Sequence, residues 1–208
     1  LIHEEGKSPS ELSRKDEIFI SESGLISIAG GKLTGYRKMA ERTVDKVLDQ
    51  LDRESVVMFK SCKTDKIQLS GGAFKSRAEM DEYADNMVDE AQQVCNQPQK
   101  IVDLVKHYGS NAKTIIQKAY EFYPKLENKE SAIEHAEVWY SIQHEMSNNL
   151  CDFLIRRTGR LYFRRPEIGE QLPIFAQAFA EQLNWSEEEK QKQIDAFQKE
   201  YEEDLDFE

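Results

Sequence analysis

The sequence predicts a mostly α-helical protein: a C-terminal helical domain preceded by a short strand–loop–helix segment. Three observations carry this. From residue 76 onward, apolar residues recur at three- and four-residue spacing. Two S-x-x-E patterns, Ser76 with Glu79 and Ser186 with Glu189, mark helix starts. Upstream, the apolar stretch "ISESGLISIA" is bounded by glycines and reads as extended chain.

Residues 11–29 form the extended part. Leu25, Ser27 and Ala29 fall on one side and Ile26 and Ile28 on the other, which suits a strand buried on both faces. "EIFIS" is placed to pair with it across the "ESG" turn as a hairpin. A helix follows the glycines, with Tyr36, Met39, Ala40, Val44, Val47 and Leu51 on one face and Thr34 as its N-cap. It ends near residue 52.

The helix opened by Ser76 carries Met80, Tyr83, Met87, Ala91 and Val94. "KIVDLVKHYG" is a short helix closed by Gly109. Asn111 starts the next, with Ile115, Ile116, Ala119 and Phe122, and Pro124 stops it. A longer helix runs from roughly Glu130 to Met146. "CDFLIRRTGRLYF" holds another, broken at Gly159, and Pro166 and Pro173 bracket a turn. The last helix opens at Ser186. From there to Glu208 ten acids face three lysines, the pattern of a solvated face fraying into disorder. "LSGGAF" at 69–74 is the best boundary. The expected divisions are 1–52 for the strand–loop–helix, 53–75 for a linker and 76–208 for the helical domain.

With 39% apolar residues, the 208-residue chain can build a packed core. A net charge of −11 argues against nucleic-acid or anionic-membrane binding, because phosphates would be repelled. No apolar run reaches the ~18 residues a membrane span needs. Cys62, Cys95 and Cys151 are odd in number and widely spaced, as in a cytoplasmic protein with reduced thiols. Because the chain starts with Leu1, it reads as a piece of a longer polypeptide.

"GGKLTGYRK" is the unusual stretch. The Walker pattern fails, because Leu33 follows Gly31-Lys32 and no glycine stands five residues before Gly31. The dinucleotide G-x-G-x-x-G fails on spacing. What remains is a strand delivering two glycines to a helix start. It is either a site for an electronegative ligand atom, with Lys32 as a movable cation, or a tight turn with no ligand. Arg14 alone reads as a surface charge. Arg156, Arg157, Arg160, Arg164 and Arg165 stand out in so acidic a chain, and pairing with internal acids is favoured over anion binding. His3, His107, His135 and His144 lack metal-ligand spacing and read as structural.

Together, "LSRKDEIF", "SGLISIAGGKLTGYRKMAERTVDKV" and "DFLIRRTGRLYF" resemble the C-terminal part of the FAD-dependent glycerol-3-phosphate dehydrogenases and oxidases, in the family's order. "YGSN" and "EHAEVWYSIQHEM" are similar to it as well. Within the family, the resemblance leans toward bacterial α-glycerophosphate oxidases, and the acidic balance fits that leaning.

The resemblance implies that the strand–loop–helix is the end of an FAD-binding α/β domain, with the GGKLT loop against the flavin. It implies backbone contacts from Leu33 and Thr34, close approach at Gly31, and Lys32 reaching toward substrate and flavin. It also implies a phosphate-holding role for Arg14. Many relatives have threonine where this chain has Gly35, so any contact of that hydroxyl is replaced or missing here. The implied reaction oxidises sn-glycerol 3-phosphate to dihydroxyacetone phosphate, with oxygen or a quinone receiving the electrons. No catalytic base and no metal ligand are assigned within this chain, and the isolated fragment is expected to be inactive and free of FAD. The competing expectation is a helical interaction or dimerisation module without chemistry of its own.

Overall fold

The structure, a computed structural model, describes residues 16–30, 33–52 and 59–204. It is mostly helical, with a two-stranded sheet. It divides into two compact units, Leu1–Ile67 and Gln68–Glu208.

In the first unit β1 (Glu17–Ile20) and β2 (Ile26–Ala29) form an antiparallel hairpin with Ile18 opposite Ile28. Gly24, at φ +83°, supplies the left-handed turn residue, and Ser21 Oγ accepts from Leu25 N at 3.1 Å. A 3-10 turn, Leu33–Gly35, runs into α1 (Tyr36–Asp52). Thr34 is the middle residue of that turn, whereas an N-cap flanks a helix with extended backbone. The strands are not buried on both faces as their pattern suggests. Phe19, Ile20 and Leu25 are 49%, 50% and 65% exposed, because the two strands and one helix among the described residues do not cover so much apolar surface.

The second unit contains α2 (Arg77–Ala91), α3 (Pro98–Tyr108), α4 (Ala112–Phe122), α5 (Ala132–Glu145), α6 (Arg160–Phe163), α7 (Arg165–Leu183) and α8 (Glu187–Glu203). Both capping patterns form. Ser76 Oγ accepts from Glu79 N at 3.2 Å and Ser186 Oγ from Glu189 N at 3.1 Å. Glu79 reaches back to Lys75 N at 2.7 Å, one residue before the usual reciprocal partner.

Gly109, at φ +58°, closes α3, and a side chain there would collide with the Gly71 carbonyl. Ser110 N donates to that carbonyl at 3.0 Å, and Asn111 Nδ2 donates to Ser70 Oγ at 2.8 Å. Asn111 therefore spends its side chain on the segment before α2 and makes no cap bond to α4. Residues 70–74 of the expected linker thus lie on the helical unit, with the Phe74 ring 5.2 Å from Tyr83.

Two readings of the C-terminal third need correction. α7 runs through both prolines. Pro166 is in the first turn, where no N–H is required. Pro173 removes one interior bond, a cost of roughly 3 kcal/mol. The same helix buries Ile168, Leu172, Phe175 and Phe179, each worth about 1.5–3 kcal/mol, so burial wins. The acidic tail does not fray as far as Asp204. α8 continues to Glu203, Phe197 is fully buried, and Arg165 holds the Asp204 carboxylate at 3.0 Å and the Tyr201 carbonyl.

Two apolar clusters make up the core, and α5 contributes to both, through Ile133, Ala136 and Tyr140 to one and Val138 to the other. Between these residues sits Glu137, an acid almost fully withdrawn from water. It accepts from the Tyr108 hydroxyl at 3.0 Å and from Arg160 Nη2 at 2.6 Å. The Arg160 guanidinium lies 5.2 Å from the Phe153 ring centroid and 4.9 Å from that of Phe175. Burial pushes the Glu137 carboxyl up. The charge and hydrogen bond of Arg160, with the Tyr108 hydroxyl, more than offset this and hold it below the ordinary value. Burial, then Glu137, pushes the Tyr108 phenol well above its ordinary range.

Removing one partner of this pair strands the other. Glu137→Gln is expected to destabilise the protein by about 3–5 kcal/mol in urea unfolding at pH 7. Because the folded carboxyl titrates below its unfolded value, its contribution is complete above the ordinary value of 4.5 and fades as pH falls through the folded one. The gap between parent and variant should therefore narrow between pH 5 and pH 3 (roughly the carboxylate window). Parity at pH 7 would contradict the structure. A chain limited to residues 68–208 is expected to melt cooperatively with a helical circular dichroism spectrum. A broad, coil-like transition would show that its two clusters do not suffice.

Candidate functional site

The glycine loop begins where β2 ends. A Cβ at Gly30 would collide with Met39 Cε and would lie 3.4 Å from Asp16 Cβ. Glycine here lets the chain leaving β2 lie against α1. One further contact holds this corner: Arg42 Nη1 donates to Asp16, joining the residue before β1 to α1, while Thr43 Oγ1 donates within α1 to the Met39 carbonyl at 2.9 Å.

Leu33 is 88% exposed, and Thr34 beside it is also exposed. With Ile28, Gly30, Tyr36, Met39, Ala40, Thr43 and Val44, Leu33 lines an open, mostly apolar hollow of about 640 Å³ at the start of the helix. This combines a wide apolar wall, a glycine at a close approach and the N-terminal turns of a helix. It can receive a flat apolar group with an electronegative edge. At Gly35 a Cβ would meet Met39 Sδ at 3.7 Å, an ordinary contact, so packing does not impose that glycine. Of the predicted site residues, Leu33 and Thr34 stand at this hollow and on its adjoining turn. Arg14, Gly31 and Lys32 lie outside the described residues.

The arginine cluster in the second unit is internally engaged. Arg156 pairs with Asp152 at 2.9 Å, Arg157 donates to the Glu145 carbonyl at 2.6 Å, and Arg164 pairs with Asp103 at 2.7 Å. Arg160 and Arg165 hold Glu137 and Asp204. The Glu145 carboxyl is pushed up, chiefly by burial, with nearby His107 opposing. His135 Nδ1 bonds to the Ser131 carbonyl at 2.9 Å, and His144 packs between Trp139 and Tyr140. Among the described residues, no group of three His, Cys, Asp or Glu is placed to hold a metal. Cys62, Cys95 and Cys151 are free thiols.

Sequence reasoning passed over Tyr108 and Glu137. The available signal was an acid between Ala136 and Val138 in the apolar run "HAEVWY", which a helix can bury only with a cationic partner.

The family described as the C-terminal domain of alpha-glycerophosphate oxidase matches residues 62–190. The aerobic glycerol-3-phosphate dehydrogenase of Bacillus subtilis (strain 168) is 38% identical over 200 residues, which are 96% of this chain and 36% of that protein. The enzyme of the same name from Staphylococcus haemolyticus (strain JCSC1435) is 38% identical over 91% of this chain and 34% of its own. A solved glycerol-3-phosphate dehydrogenase from Bacillus halodurans, described as complexed with FAD, superposes with a TM-score of 0.76 at 36% identity. It covers 89% of this chain and 36% of that one. The chain thus spans about a third of the length of these relatives. A match that runs through well over half of the sequence, on a helical unit of the expected class, places the chain in the family of the C-terminal domain of alpha-glycerophosphate oxidase.

Proposed function

We propose that the chain is the C-terminal part of a flavoenzyme that oxidises sn-glycerol 3-phosphate to dihydroxyacetone phosphate, with oxygen as electron acceptor and hydrogen peroxide as product. The observation that supports the flavoenzyme reading is the likeness, over 89% of the chain, to a glycerol-3-phosphate dehydrogenase described as complexed with FAD, and the choice of oxygen rests on the matched family's description as part of an oxidase. The residues present fit such a group: the hollow lined by Ile28, Leu33, Tyr36 and Val44 offers apolar surface beside a helix start. Bound there, FAD would supply the acceptor for the hydride leaving substrate C2.

On this reading, the backbone N–H groups of Leu33 and Thr34 face the cofactor edge that gains negative charge. A helix start carries partial positive charge, and donors already in place need no reorganisation as charge develops. Gly31 permits the close approach. Lys32 spans substrate and cofactor edge, and Arg14 grips the substrate phosphate with a guanidinium fork. No residue of this chain is assigned to remove the substrate hydroxyl proton. A cytoplasmic setting belongs to the proposal, supported by three free thiols. A second reading has a quinone as acceptor, favoured by the relatives' designation as dehydrogenases. Stoichiometric peroxide from the intact protein under air would support oxygen. Turnover that needs a quinone and yields no peroxide would support the other.

Purified alone, the 208-residue chain is expected to retain no FAD, since one loop cannot offset the entropy lost in immobilising so large a group. Stoichiometric flavin in that preparation would contradict this. In the intact enzyme, Arg14→Ala should raise KM more than about tenfold with kcat little changed, because the phosphate keeps its charge from ground state to transition state. Lys32→Met should also lower kcat, since it feels charge that appears only during hydride transfer. Steady-state kinetics at matched FAD occupancy test both. Near-normal kcat/KM in both variants would overturn the assignment.

A further inference from the structure

We propose that the cleft between α3 and α6 binds a compact oxyanion, a phosphate ester or a carboxylate. The cleft is built entirely from residues of the helical unit, and the proposal is independent of the function proposed above. It is open, about 350 Å³, within the range of small-molecule sites. α3 contributes Asp103, Leu104, Lys106 and His107. The turn before α6, and α6 with the residue after it, contribute Thr158, Arg160, Phe163 and Arg164, and Glu137 comes from α5.

Charge selects the ligand class. In a chain of net charge −11, this cleft is lined by Lys106, Arg160 and Arg164 against Asp103 and Glu137, with the His107 ring beside them. Glu137 has both oxygens engaged, by Tyr108 and Arg160. At the mouth two cations share one acid, with Asp103 lying 2.7 Å from Arg164 and 3.5 Å from Lys106. The other acid near Arg164 is Glu167, at 3.9 Å and half exposed.

Sharing leaves donors over. A guanidinium carries five N–H groups and an ammonium three, and Asp103 uses one from each. Forked donors beside a point cation suit an oxyanion. Leu104 and the 85%-exposed Phe163 supply an apolar wall, which strengthens the field inside a concave site.

The experiment is a ¹H–¹⁵N NMR titration of the 208-residue chain, first with inorganic phosphate and then with acetate, chloride holding ionic strength constant. Saturable shifts confined to residues 103–107 and 158–164 are expected, with Kd in the low millimolar range or below. Tighter binding of phosphate identifies a phosphate ester as the ligand class, and tighter acetate binding identifies a carboxylate. Lys106→Gln and Arg164→Gln should each weaken binding by about tenfold, the effect of losing one charge-assisted bond. Lys106 is nearly half exposed and tests the idea even if Arg164→Gln perturbs folding. Shifts that stay linear in ligand, or variants that bind as well as the parent, would overturn the proposal.

Discussion

Charge is expensive inside a helical core, and Glu137 and Arg160 are both almost entirely withdrawn from water. Each loses several kcal/mol of hydration, and a bare Coulombic contact does not reliably return it. Here the geometry does more. The carboxylate receives a guanidinium and a phenol on separate oxygens, and the guanidinium lies near the Phe153 and Phe175 rings. Tyr108, Glu137 and Arg160 belong to α3, α5 and α6, so the network fixes where three helices meet. α5 also joins the two apolar clusters, and the same contact therefore sets their relation. The π-helical turn at Asp152–Arg157 and the left-handed Gly159 end one helical path and start another at Arg160. An uninterrupted helix through this stretch would carry residue 160 in a different direction.

Local chemistry was legible in the sequence. Ser76 and Ser186 cap because a hydroxyl beside three free N–H groups has few better partners, and Gly109 ends α3 because its φ is costly for other residues. The arginines' preference for internal acids followed from the composition. Tertiary effects were not legible. Pro166 and Pro173 punctuate on local rules, yet α7 continues through them because its buried face outweighs one missing bond. The tail reads as solvated from its charge, although Phe197 and Tyr201, with Arg165, anchor it. Alternation in "LISIA" marks a strand correctly but says nothing about how much neighbouring chain covers it.

The candidate site shows the same division. Composition left the glycine loop open between a ligand site and a plain turn. The structure adds physical content at Gly30, which the Met39 side chain packs against, and at Leu33 and Tyr36, which stay exposed beside an apolar hollow. On the proposed reading, those features suit a loop that meets a large flat group.

Family membership and proposed chemistry rest on different parts of the chain. The family match covers residues 62–190, almost all within the helical unit, whereas every residue given a role in the reaction precedes it. The helical unit has its own core, its own caps and a buried ion pair that would be costly to break. Among its described residues the first unit has two short strands and one helix, with Phe19, Ile20, Leu25, Leu33, Tyr36 and Val44 all exposed. Sheets of two strands are marginal in water unless something packs on them. On the proposed reading, that covering comes from the remainder of a flavin domain, and the same apolar surface that makes the unit weak alone forms part of the wall around the cofactor. The exposure and the function then have one cause: the loop is built to be completed by what it binds and by the domain to which it belongs.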